Sequence, residues 1–440
     1  MDKYLQPLTA PINAILDLPG SKSIANRVLL LASLAKGESI IHNVPDVAED
    51  VLLMLEALTT LGVTITKLPK LDEGRHLNWG SSSYKIVGVN GCFKNKLATI
   101  FCGNSGTTIR FLTAALALMA GAEYTLTGIE RMYERPIGDL VIALNQLGAN
   151  IQYINQDRYP PLLISHFKDN FSEVVEINGG ASSQYLSGVL MALPLLKRKI
   201  KIKVINELIS QPYVDITCAL LEKFGCNVES QQENNCYILG DGCHLYGIEY
   251  TIEPDASSAS YFLAMGAING VVRVNNLSLN SLQGDKNFAQ ILGLMGAYVN
   301  YGTDYIQVKC ALQSGLKSIN VNLQDMPDVA MTIAVLALFA NGTSTISGIG
   351  SWKVKETDRL LAMHTELTKL GAKVSITHDS ITIHPPHQIM PNIEIDTYND
   401  HRMAMCFSLI AVYGVPVIIK NYHCVGKTFA NYFEVFEHIC

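Results

Sequence analysis

"ALTTLGVTI" (57–65) and "ALNQLGANI" (143–151) decide the fold, because the same phrase returns as "LLEKFGCNV" (220–228), "ILGLMGAYV" (291–299) and "ELTKLGAKV" (366–374). Each reads as the tail of an amphipathic helix, an apolar residue, a glycine and then a short strand. Glycine is expected just past a helix end because it takes the left-handed backbone conformation without a Cβ clash. Gly62, Gly148, Gly225, Gly296 and Gly371 therefore mark a repeat, 71 to 86 residues long. Before each anchor comes a strongly apolar helix: "IANRVLLLASLA", "TTIRFLTAALALMA", "SQYLSGVLMALPLL", "ASYFLAMGAI" and "AMTIAVLALFA", with a sixth in "RMAMCFSLIAVY". Helices apolar all round belong in a core, with amphipathic partners and strands outside them. The sixth unit reaches Cys440 after its second helix without closing strands, and "INAILDL" (12–18) is left over, expected to pair with the C-terminal half. The reading is α/β, with two pseudo-symmetric domains of three units: 21–253, and 1–20 together with 254–440. One continuous solenoid is the alternative.

The 440 residues are 48% hydrophobic and only 16% charged, so large cores are expected. A net charge of −6 argues against a general nucleic-acid binder and leaves room for a local basic cleft. The most apolar helices are shorter than the roughly 20 residues that span a bilayer. The N-terminus lacks the architecture of a signal peptide. Ten cysteines occur without a C-x-x-C pair, so neither a zinc site nor a disulfide framework is indicated. A cytoplasmic protein, not bound to nucleic acid or membrane, is expected.

The unusual polar residues fall in the loops before the helices. "LPGSKSIANR" (18–27) looks like a phosphate loop, but Ser21 stands between Gly20 and Lys22 and Ile15 sits where the first glycine is required. The nucleotide reading fails, while a hydroxyl-rich, cationic helix start still suits an anion. "GNSGTT", "GGASSQ", "PDASS", "MPD" and "YNDHR" occupy equivalent positions. Of ten arginines, Arg27, Arg110, Arg131, Arg135, Arg359 and Arg402 lie in or just after such loops. Clustered arginine suits carboxylate and phosphate, although structural ion pairs are the competing reading. "KVKETDRL" (353–360) gathers Lys353, Lys355, Glu356, Asp358 and Arg359, either a solvated first turn or proton-transfer chemistry. Asp328 reads as a helix cap or a carboxylate base, and His401 as structural or functional.

Taken in order, "LPGSKSIANR", "GNSGTTIR", "YERPIGDL", "GGASSQYL", "SQPYVDIT", "PDASSASYF", "PDVAMT", "VKETDRL", "YNDHRMAM" and "GKTFANYF" resemble the 3-phosphoshikimate 1-carboxyvinyltransferase (EPSP synthase) family over nearly the whole chain. The resemblance implies two lobes of three βαβαββ units, an inside-out α/β barrel of the enolpyruvyl transferase type, with the active site in the cleft between them. It implies transfer of the enolpyruvyl group of phosphoenolpyruvate to the 5-hydroxyl of shikimate 3-phosphate. The route is addition and elimination through a tetrahedral intermediate, on the way to chorismate and the aromatic amino acids. No metal or organic cofactor is implied, and a monomer is expected.

By the same resemblance Lys22, Gly106, Arg135, Gln184, Arg359, Arg402 and Lys427 hold phosphoenolpyruvate. Ser23 and Arg27 take the shikimate carboxylate. Ser182, Ser183 and Ser210 hold its phosphate, Tyr213 flanks the ring, Asp328 and Lys355 meet its hydroxyls, and Gln184 and Ser351 complete the shikimate 3-phosphate site. Asp328 is expected to accept the hydroxyl proton, Glu356 to protonate the methylene carbon, and Lys22 to assist the departing phosphate. The chain departs from many relatives at Phe111, where they carry Pro after the arginine of the "GNSGTTIR" loop, and at Ser351, where they carry Asn; glyphosate competes for the phosphoenolpyruvate position in the family. Two rival readings are a UDP-N-acetylglucosamine enolpyruvyl transferase and a non-catalytic repeat binding protein. The first usually offers a reactive cysteine on a first-lobe loop, and here Cys102 precedes "SGTTIR".

Overall fold

A computed structural model describes residues 1–69, 80–165, 167–168, 172–231, 235–311 and 315–440. The chain divides into two compact units, one holding residues 20–69 and 81–252, the other Met1–Pro19 and Glu253–Cys440.

One topology is repeated within each unit. Strand Leu97–Phe101 runs parallel to Glu123–Thr127, which is antiparallel to Leu162–Ser165, which in turn is antiparallel to Asn150–Tyr153. Along the chain these strands alternate with helices Gly106–Ala117 and Gly138–Gln146, giving βαβαββ. Parallel neighbours need a crossover, and the apolar helix is that crossover. Val174–Asn178, Ile200–Ile205, Cys236–Leu239 and Val228–Gln231 form a second copy. The first repeat has no leading strand of its own. Glu249–Thr251 fills the place, parallel to Glu38–Val44.

The other unit borrows in the same way. Ile12–Leu16 lies parallel to Gly270–Asn275, so the left-over strand does join the C-terminal half, where it leads the fourth repeat. The sixth repeat does gain a closing strand. Ile393–Ile395 is parallel to Val417–Ile419, and Lys3–Leu5 pairs antiparallel on its far side. Three residues, "KYL", are too few to show a period of two in the sequence.

The apolar helices are buried on every side, as their composition requires. Every residue of Gly106–Ala117 is buried, and so is Ala256 through Ala267 in helix Ala256–Ile268. The second helices bury one stripe. In Arg359–Lys369 the buried residues are Arg359, Leu360, Ala362, Met363, Glu366 and Leu367, at the helical spacing. That helix stops at Gly371, and all five anchoring glycines have φ between +87° and +100°. The loops carrying the candidate residues therefore sit at the N-terminal ends of helices fixed by core packing.

Candidate active site

In the 20–252 unit, helix Lys22–Leu34 opens with Lys22, whose Nζ lies 2.6 Å from Asp50 Oδ2. Asp50 is buried at the start of helix Glu49–Thr60. Asn26, one turn on, donates to Thr107 Oγ1 at 2.7 Å and to the Asp50 carbonyl at 3.2 Å, tying two loops to this helix. Arg27 is buried and held from several sides. Its Nε donates to Thr217 Oγ1 (2.8 Å), Nη1 to the Ser23 carbonyl (2.7 Å), and Nη2 to the Tyr213 carbonyl (3.1 Å) and Ser187 Oγ (3.2 Å). Its guanidinium carbon sits 4.9 Å from the centre of the Phe111 ring and 6.0 Å from that of Tyr213. Phe111 thus forms the floor under Arg27, a cation–π contact a proline could not make. Burial lowers the Arg27 pKa to about 10, which leaves it a cation at neutral pH.

Gly106 is a glycine because of what stands beside it. A Cβ there would lie 2.7 Å from Arg135 Nη2 and 3.3 Å from Gln184 Oε1. Arg135 donates to the carbonyl and side-chain oxygens of Asn104 at 2.7 and 3.0 Å, and Arg110 donates to Gln184 Oε1 at 2.7 Å. Ser182 caps helix Ser183–Ala192 by accepting from the Gln184 N–H at 3.3 Å, and Ser183 is buried behind it. Ser210 begins helix Gln211–Lys223 with φ +55°, a strained backbone for a serine and the kind that accumulates at functional loops. Arg131 pairs with exposed Glu134 at 2.6 Å.

The second unit holds a tighter cluster. Asp328 is not the cap of helix Ala330–Leu336; Val329 occupies that position. Its carboxylate meets Arg359 Nη1 at 3.0 Å, Lys355 Nζ at 3.5 Å and Arg402 Nη2 at 2.9 Å. Arg359 also binds Glu356 (2.7 Å) and Asp400 (2.7 Å). Asp400 caps helix His401–Phe407 by accepting from the Arg402 N–H at 2.9 Å, and buried His401 lies 3.5 Å from it. Burial alone would push Asp328 upward, but Arg402, Lys355 and Arg359 together hold it well below the usual carboxylate range. Lys355 is lowered, chiefly by burial. Trp352 Nε1 donates to the Pro327 carbonyl at 2.7 Å, clamping the turn Gly350–Val354, with half-buried Ser351, onto the loop that carries Asp328. Lys427 is buried in the turn Tyr422–Lys427.

Three carboxylates in these clusters went unrecognised in the sequence. Asp50 reads as an ordinary acidic first turn. Asp400 was visible only as part of "YNDHR". Asp285 sits alone in "LQGDKN", yet it is buried, accepts from Ser257 Oγ, and is raised to about 7 by burial first and by Asp328 second. Cys102, the thiol nearest the first-unit loops in sequence, is buried and pushed far up by burial, which suits an inert core group. Among the described residues, no group of three His, Cys, Asp or Glu is arranged to hold a metal ion. Among the same residues, no helix is long and apolar enough to cross a membrane.

The family model described as EPSP synthase (3-phosphoshikimate 1-carboxyvinyltransferase) matches residues 8–436. The 3-phosphoshikimate 1-carboxyvinyltransferase of Thiobacillus denitrificans is 47% identical over 423 residues, 96% of each chain. The protein of the same name from Neisseria meningitidis serogroup B is 46% identical over 424 residues, 96% of this chain and 95% of that one. Two solved structures share the fold across 100% of this chain and 98% of theirs. EPSP synthase from Acinetobacter baumannii superposes with a TM-score of 0.78 at 24% identity, and the enolpyruvyl transferase NikO from Streptomyces tendae with 0.74 at 14%. With its repeats, its loops and both relatives in agreement, the chain belongs to the EPSP synthase family, the 3-phosphoshikimate 1-carboxyvinyltransferases.

Proposed function

We propose that this chain transfers the enolpyruvyl group of phosphoenolpyruvate to the 5-hydroxyl of shikimate 3-phosphate, releasing phosphate. Family membership supports the reaction. The observation that carries the assignment of residues is the ion cluster of the second unit, where ionised Asp328 is held by Lys355, Arg359 and Arg402 with Glu356 on the same arginine. Such a cluster offers what addition and elimination needs: cations for anionic substrates, a carboxylate to take a hydroxyl proton, and a second acid group to move one to carbon.

In this reading Arg359, Arg402 and Lys427, with Lys22, Arg135, Gln184 and the Gly106 backbone, hold phosphoenolpyruvate. Ser23, Arg27, Ser182, Ser183, Ser210, Tyr213, Ser351 and Lys355 hold shikimate 3-phosphate. Asp328 accepts the hydroxyl proton as the carbon–oxygen bond forms, and Glu356 protonates the methylene carbon. Phosphate then leaves, assisted by Lys22, as the methyl group gives a proton back to the Glu356 carboxylate, and the enol ether is restored. The cations that now satisfy Asp328 would be shared with substrate phosphate and carboxylate, which frees the carboxylate to act as a base. Buried Cys102 gives no support to the rival sugar-nucleotide reaction. A monomer is the expected working form.

The test is phosphate release from phosphoenolpyruvate, with shikimate 3-phosphate or UDP-N-acetylglucosamine supplied in parallel. Release with shikimate 3-phosphate alone is expected. Release with the sugar nucleotide alone, or with neither, would overturn the reading.

A further inference from the structure

An open cavity of about 430 Å³ lies in the 20–252 unit at the far end of helix Lys22–Leu34, lined by Leu34, Lys36, Cys92, Lys197, Cys243 and Tyr246 among others. The helix has 13 residues, so this end is roughly 20 Å from Lys22. Cys243 belongs to a segment folded back along residues 224–227. The Tyr246 N–H donates to the Phe224 carbonyl at 2.9 Å. A Cβ on Gly225 would lie 2.9 Å from the His244 carbonyl, and the Cys243 thiol approaches the Asn227 carbonyl at 3.9 Å. Cys226 sits inside this run, and the neighbouring Cys243 thiol adds to burial in raising its pKa. Both are free thiols in the structure. Strands Val228–Gln231 and Cys236–Leu239 form the antiparallel hairpin between them, with Val228 opposite Leu239 at its open end.

We infer that Cys226 and Cys243 form a reversible disulfide on exposure to a peroxide entering through this cavity, closing the base of the hairpin. Cys243 lines the cavity and reacts first. Its thiolate attacks hydrogen peroxide, a sulfur–oxygen bond forms as the oxygen–oxygen bond breaks, and Cys243 becomes a sulfenic acid with release of water. The Cys226 thiolate then attacks that sulfur. The sulfur–sulfur bond forms, the sulfur–oxygen bond breaks, and hydroxide leaves to take up a proton as a second water. Two thiols lose two electrons and two protons, and the peroxide gains both. Burial, reinforced by Cys243, pushes the Cys226 thiol upward and makes it a poor first nucleophile. Cys92 is the competing thiol, exposed and 3.0 Å from Lys96 Nζ.

The experiment treats the full chain with hydrogen peroxide, alkylates the remaining thiols and maps the peptides without reduction. A peptide linking Cys226 to Cys243 is expected, lighter by two hydrogens and restored by dithiothreitol, and Cys92→Ser leaves it unchanged. In Cys226→Ser, dimedone traps a sulfenic acid at Cys243. The thermal midpoint rises on oxidation because the link constrains the unfolded chain, while kcat and KM stay as they were. Alkylation of both thiols after peroxide, or a link from Cys243 to Cys92, would overturn the assignment.

Discussion

Asp328 sets the charge balance of its cluster, and its replacement separates catalysis from binding. In Asp328→Asn the base is lost, while Lys355, Arg359 and Arg402 lose a counter-charge and should attract anions at least as well as before. The expected result is a kcat lower by about 10²–10⁴-fold with KM for phosphoenolpyruvate unchanged or reduced, read from steady-state kinetics. A raised KM with kcat retained would make Asp328 a binding residue instead. Asp285 makes a different prediction. Its carboxyl titrates at about 7 in the folded chain against an ordinary value near 3.8. Between those values the folded chain keeps a proton that the unfolded chain has lost, so stability falls as pH rises from about 4 to about 7. Asp285→Asn keeps the shape without the titration, and the loss of Tm between pH 5 and pH 8 should shrink in a thermal melt. An undiminished loss would place the pH dependence elsewhere. The cations of these clusters were legible in the sequence because arginine is scarce and gathers in the helix-start loops. Their carboxylate partners were not, since an acidic residue at a helix start is ambiguous. Asp358 and Asp400 cap their helices, Asp400 while also pairing with Arg359, whereas Asp50 and Asp328 do not occupy the cap position and pair with cations. Only tertiary packing separates the two.

At the scale of the element, the repeat was readable because each second helix ends in the same way and the left-handed cap demands one residue type. The borrowed strands were not readable. Glu249–Thr251 and Lys3–Leu5 are three residues each, and their partners lie more than 200 and 400 residues away in sequence. No local pattern encodes such a pairing, which follows from completing a sheet whose edge would otherwise be open. The cap glycines carry a graded prediction. At Gly296, with φ +100°, a Cβ would meet nothing closer than 3.7 Å, so Gly296→Ala should cost only the backbone strain, about 1–2 kcal/mol. At Gly148, with φ +89°, the Cβ would come within 2.1 Å of the Lys168 carbonyl oxygen, a backbone atom. Gly148→Ala must therefore displace the chain as well and should cost clearly more in urea unfolding. Equal costs would mean that the Lys168 segment yields freely.

At the scale of the molecule, the unit holding residues 253–440 is completed by the first nineteen residues, and this makes its stability separable from that of the other. Lys3–Leu5 and Ile12–Leu16 enter two of its sheets, and Leu5, Ile12, Leu16 and Leu18 are each no more than 4% exposed. The N-terminal segment also reaches the last helix through Lys3 and Glu437, 2.7 Å apart. Burying the four side chains contributes roughly 1.5–3 kcal/mol each, or about 6–12 kcal/mol together. That is of the same order as the whole stability of a domain, about 5–15 kcal/mol. Deleting residues 1–19 should therefore unfold the 253–440 unit and abolish phosphate release. The sheets of the 20–252 unit take no strand from that segment and should persist. Limited proteolysis of the truncated chain is expected to leave a resistant fragment near residues 20–252, and adding residues 1–19 as a peptide should restore protection of the remainder. Uniform digestion of the truncated chain would show that the two units stand or fall together, and undiminished resistance along the whole chain that the N-terminal strands are dispensable.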